Sequence, residues 1–260
     1  MLQIIIPTRG RLGTQLTLQN LPKDLYPQVS IVCPQSEAFF HRDRFPLTTV
    51  VPQPDPSVTI AKKREWIMNS FDTEKLVMLD DDLRFAVRRE DDPAKFLKAT
   101  PEQIIQAFKE LEEKLTPEVP HAGFSARGSG IGASAQEGGW QLGKRLMYVL
   151  GYHVPIVRAH AQFGRIETRE DMDLTLQLFA KGFPNAVNFS FVVDQQFANK
   201  GGCTEERTME RSNADAYKLA ALHPNYVKVT QKDYKSSIPR LEVVVQWQKA
   251  MKDGQRLKTA

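Results

Sequence analysis

Short apolar runs separated by polar, proline-broken segments fill most of the chain, and the period of each run decides which element it predicts. Leu2 to Ile6 is an apolar, β-branched run cut off by Pro7-Thr8-Arg9-Gly10-Arg11. It does not alternate, so it predicts an inner strand covered on both faces and followed by a polar loop. Residues 14 to 22 have helical character, Pro22 to Pro27 make a turn, and Val29 to Cys33 predicts a second strand closed by Pro34. Thr48 to Val51 predicts a third, ended by Pro52, Pro54 and Pro56, which neither a helix nor a central strand accepts. Thr59 fits the N-cap of a helix running to about Ser70, and Leu76 to Leu79 is another buried strand. Strands alternating with helices predict an α/β fold: a mostly parallel, doubly wound central sheet with helices on both faces.

Farther along, Arg88 to Pro93 reads as a charged loop, and Thr100-Pro101-Glu102 opens an amphipathic helix carrying Ile104, Ile105, Phe108, Leu111 and Leu115. The glycine-rich stretch from His121 to Gly139 lacks phosphate-loop spacing and predicts a long acceptor or lid loop. Leu146 to Tyr152 and His153 to Val157 are strand-like. Met172, Leu176 and Phe179 repeat at helical spacing, with Gly182 and Pro184 ending the helix and Glu170 and Asp171 in its first turn. Thr168 and Asp171 fit a capping box, which would explain those acids without any chemistry. Val187 to Val193 predicts a strand, Asn199 to Arg207 a mobile loop and Arg211 to Leu222 a helix, with apolar elements at Tyr226 to Val229 and Leu241 to Trp247. No repeat or linker divides the chain, so a single domain is expected.

Composition narrows the class. At 41% hydrophobic and 25% charged residues the chain is ordinary globular protein. No apolar run approaches the roughly 20 residues that span a bilayer, and the N-terminus lacks the basic-then-apolar order of a signal peptide, so a cytoplasmic location is expected and no membrane contact. Cys33 and Cys203 are too few and too far apart for a disulfide framework or a zinc site, and both are expected to be free thiols. Residues 195–260 hold twelve Lys or Arg against seven Asp or Glu, a balance of 12 − 7 = +5 within a total of +4. A basic C-terminal third suits a polyanion such as DNA, and equally a solvated lysine-rich surface.

Candidate chemistry concentrates at strand ends. Asp80, Asp81 and Asp82 follow the fourth strand directly, and three adjacent anions call for a counter-charge. Their oxygens suit Mg²⁺ or Mn²⁺, and ligands of open α/β sheets bind outside the carboxyl ends of strands; the plain alternative is a solvated acidic turn. Arg9 and Arg11 could grip phosphate bidentately or simply line a surface loop. Lys62, Lys63 and Arg64 in the first turn of a helix oppose its dipole unless an anion docks there, or else snorkel into solvent.

Taken in order, Pro7-Thr8-Arg9, Lys62 to Arg64, the LDDD ending at Asp82 and Arg169-Glu170-Asp171-Met172-Asp173-Leu174 resemble the GT-A glycosyltransferases of the inverting, nucleotide-sugar-dependent kind, over residues 2 to 195. The resemblance implies a Rossmann-like domain with a nucleotide-sugar half at 1–100, an acceptor and catalytic half at 101–230 and a basic extension at 231–260. It implies a donor site from Pro7, Thr8, Arg9, Arg11, Lys62, Lys63, Arg64, Asp80 and Asp81, and a divalent metal (Mn²⁺ or Mg²⁺) on Asp82 and Asp80 with His223 as a further ligand. Asp81 fills the place of the motif's neutral centre, so which of the three aspartates touches metal stays open. Asp171 is implied as general base, with Glu170 second. A narrower resemblance, in IPTRGR, AKKR and TREDMDL, is to the bacteriophage DNA-base glycosyltransferases associated with TET-type oxygenases. It implies transfer from a UDP-sugar to 5-hydroxymethylcytosine in DNA, in the cytoplasm of a host cell, with no obligate protein partner. A glycan, protein or small-molecule acceptor, a nucleotidyltransferase of related fold and a non-catalytic DNA-binding module stand as alternatives.

Overall fold

A computed structural model describes residues 1–13, 15–54, 59–128, 133–195, 208–232 and 240–259. The first four strands, β1 (Gln3–Pro7), β2 (Val29–Pro34), β3 (Thr49–Gln53) and β4 (Lys75–Leu79), pair in parallel in the order β3-β2-β1-β4. The apolar runs anticipate all four, because successive side chains of a strand buried on both faces enter opposite cores. Ile4, Ile6, Val77 and Leu79 pack on one face with Phe108 and Leu111 of helix Pro101–Lys114. Ile5, Leu76 and Met78 pack on the other with Ile67 of helix Ile60–Ser70 and Leu174 and Leu178 of helix Glu170–Ala180.

Beyond β4 the sheet continues through β5 (Leu83–Arg88), β6 (Phe96–Lys98), β7 (His121–Ala126), β8 (Trp140–Leu142), β9 (Val149–His153) and β10 (Asn185–Gln195). Among the described residues these ten strands form one sheet, ordered β3-β2-β1-β4-β9-β7-β10-β5-β6 with β8 on β10. β9, β5 and β8 run against the rest, so the sheet is mostly parallel with reversed strands let into its second half. Helices cover both faces, and the sheet is continuous within a single domain. Among the described residues no helix is long and apolar enough to cross a membrane.

Several local expectations are corrected. Arg88 ends a strand rather than starting a loop, because LRFAVR pairs antiparallel with β10. His121 to Ala126, expected in the glycine-rich loop, is the wholly buried β7; a Cβ on Gly123 would stand 2.0 Å from the Val149 carbonyl oxygen, so this glycine serves close packing. His153 closes β9, and the following residues form helix Val154–His160 with Pro155 in the first turn, where a missing N–H costs nothing. Thr168 caps no helix: its N–H and hydroxyl donate to Asp215 at 2.7 and 2.8 Å, and Arg169, at φ 64°, precedes the helix instead.

The C-terminal region pairs β11 (Val227–Lys232) with β12 (Arg240–Val245), and the apolar element expected at Leu241 to Trp247 splits into β12 and the start of helix Trp247–Thr259. Ala250 and Met251 of that helix join Met172, Leu176 and Phe179 in a third apolar cluster. Cys33 is buried and free, and burial raises its pKa to about 11. Cys203, the expected loop Asn199 to Arg207 and residues 129–132 of the glycine-rich stretch lie outside the described residues.

Candidate active site

At the end of β4 the chain turns at once into β5, and Asp80, Asp81 and Asp82 form that turn. Thr17 straps it: the hydroxyl donates to the Asp80 carbonyl at 2.5 Å and accepts from Leu83 N–H at 2.9 Å, and the Thr17 N–H donates to the Asp81 carbonyl at 3.2 Å. The Asp80 N–H donates to the Tyr148 carbonyl at 3.0 Å. With these backbone groups fixed, Asp80 turns one way and Asp81 and Asp82 the other.

Asp81 turns toward the loop after β1. Thr8 Oγ1 donates to it at 2.6 Å and Arg11 pairs with it; the same guanidinium stands 2.8 Å from Asp82 Oδ2. Burial raises the Asp81 pKa to about 6, and Arg11 and Thr8 pull it down only in part. Burial works against the Arg11 cation, but Asp81 and Asp82 outweigh it and raise its pKa. Lys63 Nζ donates to the Thr8 carbonyl at 3.2 Å from the first turn of its helix. Asp82 also accepts from Gln195 Nε2 at 3.1 Å. Pro7 ends β1 and Arg9 is half-buried in the loop that follows.

Asp80 turns the other way. Arg64 Nη2 lies 2.9 Å from its Oδ1, and Arg64 Nη1 pairs with Glu170, with both ends of that pair buried. The Arg64 pKa is raised because Glu170 and Asp80 outweigh the cost of burial. Of the three cations read at this helix start, Lys62 is exposed while Lys63 and Arg64 are buried, so two of them serve the site and do not snorkel. Asp171, beside Glu170, is half-buried and accepts the Met172 N–H at 2.9 Å.

His223, at the end of helix Met209–Leu222, meets helix Glu170–Ala180 one turn farther along. Its Nε2 is 2.7 Å from Asp173 Oδ1, while Asp173 Oδ2 accepts from Gln177 at 2.9 Å. Among the described residues no hydrogen bond or ion pair joins His223 to Asp80, Asp81 or Asp82, and no group of three or more His, Cys, Asp or Glu could by itself hold a metal ion. The donor chemistry of the turn nevertheless fits a hard cation. Both oxygens of Asp81 meet Thr8 and Arg11 and both oxygens of Asp82 meet Gln195 and Arg11, while Asp80 meets Arg64 through Oδ1, so a cation there would share these carboxylates with the guanidiniums and complete its shell with substrate phosphates.

Sequence reading passed over three contributors. Thr17 and Gln195 carry no motif, and Tyr148 offers only an aromatic in a strand-like run. Tyr148 adopts φ 70°, a region bulky side chains avoid, and its phenol pKa is raised by burial and by Asp80. Asp171 and Asp82 act on it in the same direction, so the ring stands where both acidic clusters are felt.

A Rossmann-like sheet interrupted by reversed strands, carboxylates at the end of its fourth strand and a second acidic pair at a helix start define a GT-A, nucleotide-sugar-dependent glycosyltransferase. A model of the TET-associated glycosyltransferase family matches residues 2–202, and the chain belongs to that family. It is 24% identical over 226 residues to the β-glucosyl-HMC-α-glucosyl-transferase of Enterobacteria phage T2, covering 82% of this chain and 78% of that one; the phage T6 enzyme of the same name is equally similar over 224 residues. The fold is similar to glucosyl-3-phosphoglycerate synthase from Mycobacterium tuberculosis, solved with Mn²⁺ and UDP (TM-score 0.53, 11% identity, 92% of this chain and 89% of that one). It is also similar to a Pyrobaculum calidifontis mannosyltransferase solved with GDP-mannose and Mn²⁺ (TM-score 0.54, 13% identity, 86% and 64%). The chain spans 65% of the length of the solved Staphylococcus aureus TarS 1-349, at a TM-score of 0.48.

Proposed function

We propose that the enzyme transfers a sugar from a UDP-sugar to the hydroxyl of a 5-hydroxymethylcytosine in DNA, with inversion at the anomeric carbon. The observation that carries the acceptor is family membership over residues 2–202, together with the HMC named in the phage relatives. Such an enzyme would act in the cytoplasm of a host cell, where phage DNA is made.

The diphosphate binds outside β1 and β4, where Thr8, Arg9, Arg11, Lys62 and Lys63 flank the aspartate turn in the half formed by residues 1–100. A Mn²⁺ or Mg²⁺ ion held by Asp82 and Asp80 would supply Lewis-acid neutralisation of the leaving diphosphate; His223, the further ligand the resemblance implies, is engaged with Asp173 instead. Asp171 takes the proton of the acceptor hydroxyl as its oxygen bonds to the anomeric carbon and the bond from that carbon to the diphosphate oxygen breaks. Asp171 is favoured over Glu170 because Glu170 is 5% exposed and committed to Arg64, while Asp171 is half-buried and accepts the Met172 N–H.

The phage relatives' name supports a second reading, in which the acceptor is a glucose already on the base and the new bond is α. Incubation of hydroxymethylated and β-glucosylated hydroxymethylated DNA with UDP-glucose, followed by NMR of the released nucleoside, separates the two. A β-linked sugar directly on the hydroxymethyl group is expected; an α-linkage overturns inversion, and addition only to the glucosylated DNA overturns the hydroxymethyl acceptor.

A further inference from the structure

Beside the aspartate turn lies a cavity of about 980 Å³, walled by the end of β7, the β5–β6 hairpin, residues 145–148 and the end of β10. It adjoins the aspartate turn, because Gln195, the donor to Asp82, and Tyr148, whose carbonyl receives the Asp80 N–H, both line it. Leu83 pairs with Gln195 at one end and Arg88 closes the strand at the other. The five steps from Leu83 to Arg88 make that length roughly 16 Å.

The lining combines apolar Ala126, Met147 and Val193 with the cations Arg88, Arg127 and Arg145. The guanidiniums of Arg88 and Arg127 lie over the Phe96 ring, 4.9 and 5.0 Å from its centroid. Arg88 spends Nε and Nη1 on the carbonyls of Phe189 and Pro93, and its Nη2 is buried without a hydrogen-bond partner among the described residues. Arg145 adds a third positive charge. The two acids of the lining are already answered: Asp194 by Arg127 at 3.0 Å and Asp92 by Lys95 at 3.1 Å. A buried cationic N–H lacking an acceptor, beside an aromatic and apolar wall, asks for a ligand that is flat in one part and anionic in another.

We propose that this cavity receives the acceptor nucleotide turned out of the DNA duplex. Its pyrimidine lies against Tyr148 and Met147, its flanking phosphates meet Arg88, Arg127 and Arg145, and its hydroxymethyl group points toward Asp171. This rests on the DNA-acceptor reading. A base inside a duplex cannot reach carboxylates at a strand end, so extrusion is what chemistry here requires. The left-handed Tyr148 then has a purpose, holding an aromatic edge between the cavity and both acidic clusters.

The test uses Arg127→Gln and Arg145→Gln, two exposed arginines on separate segments. Each is expected to raise KM for hydroxymethylated duplex roughly tenfold and to reduce its log–log salt slope by about 0.9, as loss of one phosphate contact does. UDP affinity, read by calorimetry, is expected to stay within about twofold, and wild-type KM is expected to fall when the target cytosine sits in a mismatch, which lowers the extrusion cost. Unchanged KM and salt slope in both variants, loss of UDP affinity in both, or indifference to the mismatch overturns the assignment. Those results leave wild-type labelling of DNA intact, whereas failure of the wild type to label any DNA overturns the acceptor reading and this one with it.

Discussion

Arg64 Nη2 stands 2.9 Å from Asp80 Oδ1, and the other end of the same guanidinium pairs with Glu170, 106 residues away in the chain. One buried cation therefore ties the donor-side carboxylates to the helix that presents Asp171. Arg64→Ala leaves Glu170 buried without its partner, and breaking such a pair typically costs about 3–5 kcal/mol. A fall of that size in the urea-unfolding free energy is expected, with Arg64→Lys recovering part of it. An Arg64→Ala protein as stable as wild type would show that the pair is not structural.

Glu170 and Asp171 should separate by what is lost. Asp171→Asn is expected to lower the transfer rate by about 10²–10⁴-fold, the usual worth of a general base, with UDP affinity kept. Glu170→Gln is expected to lower stability first, since Arg64 loses its buried partner. Single-turnover transfer and thermal melts on both variants decide; full activity in Asp171→Asn excludes the base assignment.

His121 reports on pH. It is fully buried, stacked on Tyr152 with ring centroids 4.8 Å apart, and its Nδ1 lies 2.9 Å from the Gly151 carbonyl oxygen. Burial lowers its pKa to about 4 from an ordinary 6.5. The unfolded chain therefore takes up the proton first as pH falls, so His121 adds stability above pH 6.5 that is lost between there and pH 4, up to about 3 kcal/mol. The difference in unfolding free energy between wild type and His121→Phe is expected to shrink or reverse by about that amount from pH 7 to pH 4, and a constant difference contradicts it.

The C-terminal helix is held by close contact. A Cβ on Gly254 would stand 1.6 Å from the Phe179 carbonyl oxygen, so Gly254→Ala must push helix Trp247–Thr259 off helix Glu170–Ala180. A loss of about 2–3 kcal/mol is expected, as for overpacking a tight interior, measurable as a lowered melting temperature. An unchanged melt would mean that the two helices are not tightly docked.

The first half of the fold was legible because LQIII, VSIVC and KLVML are buried on both faces, and continuous apolar runs announce that directly. The helix start at Thr100-Pro101 was legible too, since a cap residue followed by proline is a local device; the return bond from Gln103 emerged only in the structure. Helix Trp247–Thr259 was not: it is mostly polar, holds a glycine in its middle, and is helical because that glycine lets it dock. Val154 to Val157 carried β-branched residues that suggested a strand, and Pro155 at a helix start decided otherwise. At the site, residue types could be named from the sequence but partners could not. Which aspartate meets Arg11, which meets Arg64 and which meets Gln195 depends on contacts between segments 16 to 113 residues apart.

The central claim is that the acceptor is a hydroxymethylated base. Purified protein is incubated with UDP-glucose, Mn²⁺ and one of two duplexes identical except for cytosine or 5-hydroxymethylcytosine, and the digested nucleosides are weighed by mass spectrometry. A gain of one hexose on 5-hydroxymethyl-2′-deoxycytidine alone is the expected result. Equal labelling of both duplexes, or none on the hydroxymethylated one with any nucleotide-sugar supplied, contradicts it.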